Sequence, residues 1–179
     1  NLIRVNDMAN LIGTLDLKNK GITDGKGLKY AVNVETILLQ NNNITSIKQD
    51  DFNGLKNLKS LQLHNNNISG IEKGSFDGLT SLSWLDLTDN KIRKIEKGVF
   101  NPLINLKHLF MNRNNISTVE TGSFDVEGGK LHPIVWYNYL YTVKGDLEYI
   151  ELGTVTYSDG GGQKNLAELE TLVSSKGEV

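Results

Sequence analysis

One phrase returns along this chain at a spacing of 24 residues, and no other feature constrains its fold as strongly. Leu58-x-x-Leu61-x-Leu63-x-x-Asn66-x-Ile68 recurs as Leu82-x-x-Leu85-x-Leu87-x-x-Asn90-x-Ile92 and as Leu106-x-x-Leu109-x-Met111-x-x-Asn114-x-Ile116. One step earlier stands Val34-x-x-Ile37-x-Leu39-x-x-Asn42-x-Ile44. An irregular first copy, 22 residues ahead, reads Ile12-x-x-Leu15-x-Leu17-x-x-Lys20-x-Ile22. The alternation of Leu61 and Leu63 predicts a short strand with one buried side, and parallel strands from successive units pair edge to edge. One unit cannot bury its own apolar face, whereas a stack of about five or six can. The expected fold is an α/β solenoid, a horseshoe with short parallel strands on its concave face and a non-repeat C-terminal cap.

Two further columns follow the same spacing. Asn42, Asn66, Asn90 and Asn114 can stack as a ladder whose buried amides satisfy backbone groups in the turn after each strand. Phe52, Phe76, Phe100 and Phe124 form a spine that fills the convex side. The ladder breaks at Lys20 and at Tyr139, where polar-rimmed caps are expected. This divides the chain into an N-terminal cap at 1–11, five repeats over 12–126, and a remainder at 127–179. In that remainder Leu131-x-x-Ile134-x-Trp136 reads as a sixth strand in shifted register, followed by a cap or the start of another domain. Segments 134–143 and 147–157 read as strands, Gly160-Gly161-Gly162 as a break, and residues 164–174 carry helical spacing at Leu166, Leu169 and Leu172.

The repeated phrase resembles the leucine-rich repeat. Over residues 52–126 the wording FNGLKNLKSLQLHNNNISGIEKGSF and FDGLTSLSWLDLTDNKIRKIEKGVF is similar to the 24-residue extracellular type found in Toll-like receptor ectodomains and small proteoglycans. The earlier stretch, DMANLIGTLDLKNKGITDGKGLKYAVNVETILLQNNNIT, resembles repeats of bacterial internalin-like surface proteins. Animal extracellular members usually seal both ends with cysteine-rich caps, and this chain has no cysteine. That departure favours the bacterial surface relative. The resemblance implies an adhesin or ligand receptor, placed outside the cell or on its surface.

Composition removes other classes. Without cysteine there is no disulfide framework, thiolate nucleophile or Cys-bound metal. Nineteen Lys and Arg against 21 Asp and Glu leave a formal charge of −2, which argues against generic binding to nucleic acid or anionic membranes. No run of about eighteen apolar residues is present, so no membrane insertion is expected of this sequence. The start at Asn1 suggests a processed or trimmed piece of a longer protein.

The register also allots the solvent-facing strand positions to columns. The central column reads Asp16, Leu38, Gln62, Asp86, Phe110 and Val135; the one before it reads Thr14, Thr36, Ser60, Trp84, His108 and Pro133; the one after it reads Lys18, Gln40, His64, Thr88, Asn112 and Tyr137. With strands about 4.8 Å apart, Trp84, His108, Phe110, Val135 and Tyr137 are expected to be contiguous, with His64 and Asp86 beside them. Exposed aromatics rimmed by polar groups suit a binding hot spot, so these seven residues form the candidate ligand-binding site. The competing reading is that Trp84 and Phe110 merely pack on one another or under the tail.

Catalytic chemistry finds little support. His64, Asp86 and His108 lie diagonally across three strands, too loosely spaced for a shared ion, and Asp86 with Asp89 fits no calcium-loop spacing. Nucleophile-elbow, phosphate-loop and H-E-x-x-H motifs are absent, and no cofactor is expected. The sequons at Asn43, Asn67 and Asn115 follow the ladder Asn and read as by-products of the repeat. The basic run Lys91-Ile-Arg93-Lys94 reads as a solvated turn. The expected function is therefore non-enzymatic recognition of a protein ligand, such as a host or cell-surface protein. The alternatives are a glycan-binding module, the recognition arm of a larger enzyme whose catalytic part lies elsewhere, or a structural spacer.

Overall fold

The computed structural model describes residues 7–120 and 123 with their side chains, together with the backbone of 5–6, 125–126, 129–130, 133–136, 139–142 and 156–158. A short helix α1 (Val5–Ala9) leads into β1 (Gly13–Asp16), and a 3-10 turn at Leu28–Tyr30 precedes β2 (Val34–Leu38). From there each unit contributes one strand to the concave sheet and another, of two or three residues, beyond the Asn turn. These are β3 (Ser46–Ile47), β4 (Ser60–Gln62), β5 (Gly70–Ile71), β6 (Trp84–Asp86), β7 (Lys94–Ile95), β8 (His108–Phe110) and β9 (Thr118–Glu120). The backbone continues through β10 (Asp125–Val126), β11 (Gly129–Lys130), β12 (Pro133–Trp136), β13 (Tyr139–Thr142) and β14 (Thr156–Ser158).

The concave sheet runs β1-β2-β4-β6-β8-β13-β12, and its first five strands are parallel. Thr36, Ser60, Trp84 and His108 stand in register, as do Leu38, Gln62, Asp86 and Phe110. The side chains between them face inward. Leu61, Leu63, Leu85, Leu87 and Leu109 are completely buried, and so are Leu58, Leu82 and Leu106 at the head of each phrase. Phe52, Phe76 and Phe100 form the spine, with the last two rings stacked at 5.9 Å between centroids. Leu28 holds the corresponding place in the first coil, while Phe124 lies outside the described residues.

The ladder asparagines join consecutive coils. Asn66 Nδ2 donates to Leu63 O of its own coil and to Leu39 O of the coil before, both at 3.0 Å, while Oδ1 accepts from Ile44 N of the coil before at 3.0 Å. Asn90 repeats the arrangement with Leu87 O, Leu63 O and Ile68 N, and Asn114 with Met111 O, Leu87 O and Ile92 N. Asn42 does the same with Leu39 O and Leu17 O, and its Oδ1 takes both Lys20 N and Ile22 N. Every ladder amide therefore satisfies backbone groups of the preceding turn, groups that burial would otherwise leave unpaired. Lys20 fits this rule: among the described residues no earlier Asn turn stands before it to be served. The residue just before each ladder position has a left-handed backbone, with φ between 52° and 59° at Asn19, Asn41, Asn65, Asp89 and Arg113. Asn and Asp tolerate that conformation, whereas Arg113 is an unusual occupant and is tied to Asp89 by a 2.6 Å ion pair.

The first coil is less fully covered by the described residues than the later ones. Val34, Leu58, Leu82 and Leu106 are wholly buried, but Ile12 in the same position is 81% exposed. No coil stacks on its outer side among the described residues. Asp16 and Lys18 pair at 3.1 Å on the adjoining edge strand, and charges of this kind discourage further strand pairing there.

At the other end the sixth rung differs from expectation. The strand beside β8 is β13, which runs antiparallel to it with Tyr141 opposite Phe110 and Thr142 opposite Leu109. β12, which contains Ile134 and Trp136, lies one strand further out and is antiparallel to β13. The ladder explains the change. Tyr139 stands where an Asn amide would be needed to hold another Asn turn, so the chain pairs back on itself instead. The expected strands over 134–143 and 147–157 are represented by β12, β13 and, parallel to β9, β14; the helix at 164–174 lies outside the described residues.

Asp51 is buried in the position that Ser75 and Ser123 occupy in later coils. Both serines donate to the carbonyl 28 residues earlier, Ile47 O and Ile95 O respectively. Asp51 instead accepts from Lys48 N at 2.9 Å, and its Cβ lies where a side chain on Gly25 would have to go, 2.6 Å from the added atom. Burial raises the Asp51 carboxyl above the ordinary carboxylate range, outweighing the Lys48 hydrogen bond.

Two expectations follow for stability. Asn90→Ala strands Ile68 N and two carbonyls, and should cost about 3 kcal/mol in urea unfolding, against about 0.5 kcal/mol or less for Lys20→Ala. Because the folded state favours protonated Asp51, its stability falls as pH rises from below the ordinary aspartate value of about 3.9 through the raised value. Asp51→Asn keeps the Lys48 bond and removes that penalty. It should match or exceed the parent at pH 7 and lose its advantage as pH is lowered through that window.

Candidate functional site

The parallel register that the ladder imposes brings three rings together on the concave face. Trp84 in β6 lies opposite His108 in β8, and Phe110 follows His108 by two residues on the same side. Trp84 packs 4.9 Å from His108 and 4.7 Å from Phe110 between ring centroids, tilted by 48° and 41°, and the other two rings lie nearly parallel at 6.3 Å. These are favourable tilted geometries for aromatic contact. The rings pack on one another, yet Trp84 keeps 37% of its surface in solvent, while His108 and Phe110 are half-buried. Beneath them Leu85 and Leu109 are part of the closed core, so the patch stands on a rigid floor.

Beside the rings, His64 Nδ1 lies 3.1 Å from Asp86 Oδ2. The distance is that of an ion pair, but the contact is not aligned as a hydrogen bond, since the same nitrogen is buried without a hydrogen-bond partner. Asp86 Oδ1 accepts from Thr88 N at 2.9 Å, and Asp89 is held by Arg113. Both carboxylates are thus already engaged, and no group of three metal-ligating side chains occurs among the described residues. Further along the concave face, the hydrogen bond and charge of Lys18 hold the Asp16 carboxyl below its ordinary range.

Of the seven candidate residues, Trp84, His108 and Phe110 form one cluster, and His64 with Asp86 forms a pair in the adjoining columns. Val135 is not where the column placed it. It lies in β12, separated from β8 by the whole of β13, so Tyr141 rather than Val135 is opposite Phe110. Tyr137 lies outside the described residues. Two residues were passed over: Gln40 and Asn112 flank His64 and Thr88 in the third column, and Gln40 Oε1 and Asn112 Oδ1 are buried without a hydrogen-bond partner. Their column was legible, but nothing in a single sequence distinguishes a polar side chain that finds a partner from one that does not. Of the three sequons, Asn43 and Asn115 are exposed and Asn67 is half-buried. In the basic run, Lys94 bridges Glu96 at 3.3 Å and Glu120 at 2.6 Å.

A stack of parallel rungs, an Asn ladder and an open concave sheet define a repeat scaffold of the kind that presents extended binding surfaces. The chain belongs to the leucine-rich-repeat family: the family profile matches residues 32–92 and 82–126, together just over half of the sequence. Among solved structures it resembles TLR13 in the TLR13–ssRNA13 complex, at 24% identity and a TM-score of 0.55 over 75% of this chain. That likeness shows the fold, and this chain spans 21% of the other's length. No curated protein matches the sequence. Among the described residues no helix is long and apolar enough to cross a membrane.

A double-mutant cycle on Trp84→Ala and Phe110→Ala should give a coupling energy of about 1 kcal/mol in urea unfolding, the strength of one aromatic pair. Leu85→Ala, in the floor below, should cost about 2 to 5 kcal/mol.

Proposed function

We propose that this chain is a non-enzymatic recognition module of adhesin or receptor type, binding a protein ligand through its concave face. The observation that carries this reading is the Trp84–His108–Phe110 cluster, half-exposed on a floor of fully buried leucines. Rigid aromatics of this kind bury large area at low entropic cost and are enriched in interface hot spots. His64, Asp86, Gln40 and Asn112 supply a polar rim. Residues 1–11 act as the N-terminal cap in this reading, and 127–179 as the C-terminal cap or the start of a following domain. The cysteine-free composition and internalin-like wording of the first repeats support a place outside the cell or on a bacterial surface.

A second reading, glycan binding, is favoured by one observation: the flat Trp84 indole is 37% exposed among polar side chains of the concave face. The structural neighbour TLR13 was solved with single-stranded RNA. On this chain the concave columns carry Asp16 and Asp86 alongside Lys18, and the net charge is −2, so nucleic acid is the least favoured ligand.

Affinity capture from surface-protein extracts separates these readings. Trp84→Ala and Phe110→Ala should each weaken retention of a protein partner about 30-fold, equivalent to about 2 kcal/mol, while both variants stay folded. Variants that retain the partner as well as the parent does would place the binding face elsewhere. A glycan-array signal abolished by Trp84→Ala would transfer the site to the sugar reading, and salt-sensitive retention of single-stranded RNA would overturn both.

A further inference from the structure

Consecutive coils are joined by more than the asparagine ladder, and the additional joints lie toward the convex side. Where the coil of Asn42 meets the coil of Asn66, β3 pairs with β5, and Glu72 N donates to Ile47 O. Ser69 donates to Thr45 O through both its N and its Oγ, and Ser75 Oγ reaches Ile47 O at 2.9 Å. Glu72 Oε2 accepts from Gln49 N at 3.4 Å. Where the coil of Asn90 meets the coil of Asn114, the same set returns. β7 pairs with β9, Ser117 donates to Arg93 O through N and Oγ, and Ser123 Oγ reaches Ile95 O at 3.0 Å. Glu120 Oε2 accepts from Lys97 N at 2.8 Å. On the return to the sheet, Asn57 Nδ2 donates to Val32 O and Asn105 Nδ2 to Thr80 O.

The middle seam, between the coils of Asn66 and Asn90, has none of these joints. β5 and β7 belong to different sheets, and no hydrogen bond links residues 69–75 to residues 93–99. The side chains that would make the bonds are the ones that changed. Arg93 stands in the place of Ser69 and Ser117, Val99 in that of Ser75 and Ser123, and Ser81 in that of Asn57 and Asn105. Glu96 turns to Lys94 at 3.3 Å instead of to Lys73 N. Ile71 is 9% exposed as a result, against 1% for Ile47 and Ile95. The polar links that do cross this seam lie at the sheet and the Asn turn: β4 against β6, the Asn90 amide, Lys91 N to Ile68 O, and His64 beside Asp86. Among the described residues its convex side is held by apolar packing, with Phe76 stacked on Phe100. Such contacts are non-directional and shift without breaking a hydrogen bond.

We propose that this seam is a hinge. The solenoid bends about the Asn90 rung, and the block carrying Trp84, His108 and Phe110 moves against the block carrying Gln40 and His64. Opening the convex side tightens the arc of the concave face, and closing it flattens that arc. The role of the hinge rests on the concave face being the binding face: it sets the curvature that a ligand meets.

The test is nitrogen relaxation-dispersion NMR on the full chain without ligand, which reads hinge motion on the μs–ms timescale. Exchange is expected at Ile71, Glu72, Lys94 and Glu96 and, on the sheet, at His64 and Asp86, while Ile47 and Val119 in the paired seams stay quiet. Ser81→Asn combined with Arg93→Ser supplies two of the side chains that join the other coils, at positions that are not buried, so the variant keeps its fold. It should abolish the exchange. Trp84→Ala should retain it, so the motion is measured independently of whether that ring binds a partner, and a failed hinge and a failed binding face are told apart. The proposal is overturned if the middle seam shows no exchange, or if the paired seams show as much. It is equally overturned if Ser81→Asn with Arg93→Ser exchanges as the parent does.

Discussion

The side-chain amide that joins one turn to the next is the interaction on which the rest of this protein depends. Each coil turns away from the sheet immediately after its strand, and the backbone groups of that turn point into a dry interior. Water cannot reach them, and the strand ladder has already ended. An asparagine from the following coil supplies one acceptor and two donors at the required spacing, so that Asn66 holds Ile44 N and Leu39 O while also bonding Leu63 O. A hydrophobic core alone would tolerate slippage between coils; a chain of amides with paired donors and acceptors does not.

That constraint has consequences on the opposite side of the sheet. Because the amides lock the register, Ser60, Trp84 and His108 are held in line, as are Gln62, Asp86 and Phe110. The aromatic cluster is thus a result of the ladder as much as of its own rings. It also sits where the frame changes. β8 is the last parallel rung, and its outer neighbour runs antiparallel, so Phe110 faces a strand that obeys no repeat. The two ends of the described solenoid differ. At the C-terminal end the chain folds back and pairs β13 with the last parallel rung, while at the N-terminal end Leu15 and Leu17 are only partly covered by the described residues.

Much of this was legible in the residues because a repeat tests itself. A position that is Leu, Leu, Leu and Val in four copies is an inward one, and Asn at the same offset in four copies needs a buried partner. The columns of the concave face followed by counting, and Trp84, His108 and Phe110 met as the count required. The count failed where the repeat stopped. Leu131-x-x-Ile134-x-Trp136 has the right alternation for a sixth rung, but alternation specifies a strand and not its direction. The missing Asn at Tyr139 marked a break without saying that the chain would reverse, so Val135 was assigned to a neighbour's place. Gln40, Asn112 and the left-handed Arg113 were visible as residue types, and their lack of a partner or their strain was not.

By itself the sequence determined the solenoid, the buried ladder, the spine over Phe52–Phe100, and which side chains of the parallel strands share the concave face. All of these follow from local periodicity, since each coil meets only its two neighbours and the same contact recurs along the stack. The tertiary structure decided what happens at the two ends and which polar groups are left without partners. Those outcomes depend on contacts that occur once: a strand that pairs back on Phe110, an Asp16–Lys18 pair on the edge strand, an isoleucine, Ile12, that no described coil covers. A repeated contact is written several times in the sequence, and a unique one is settled only by what lies next to it in space.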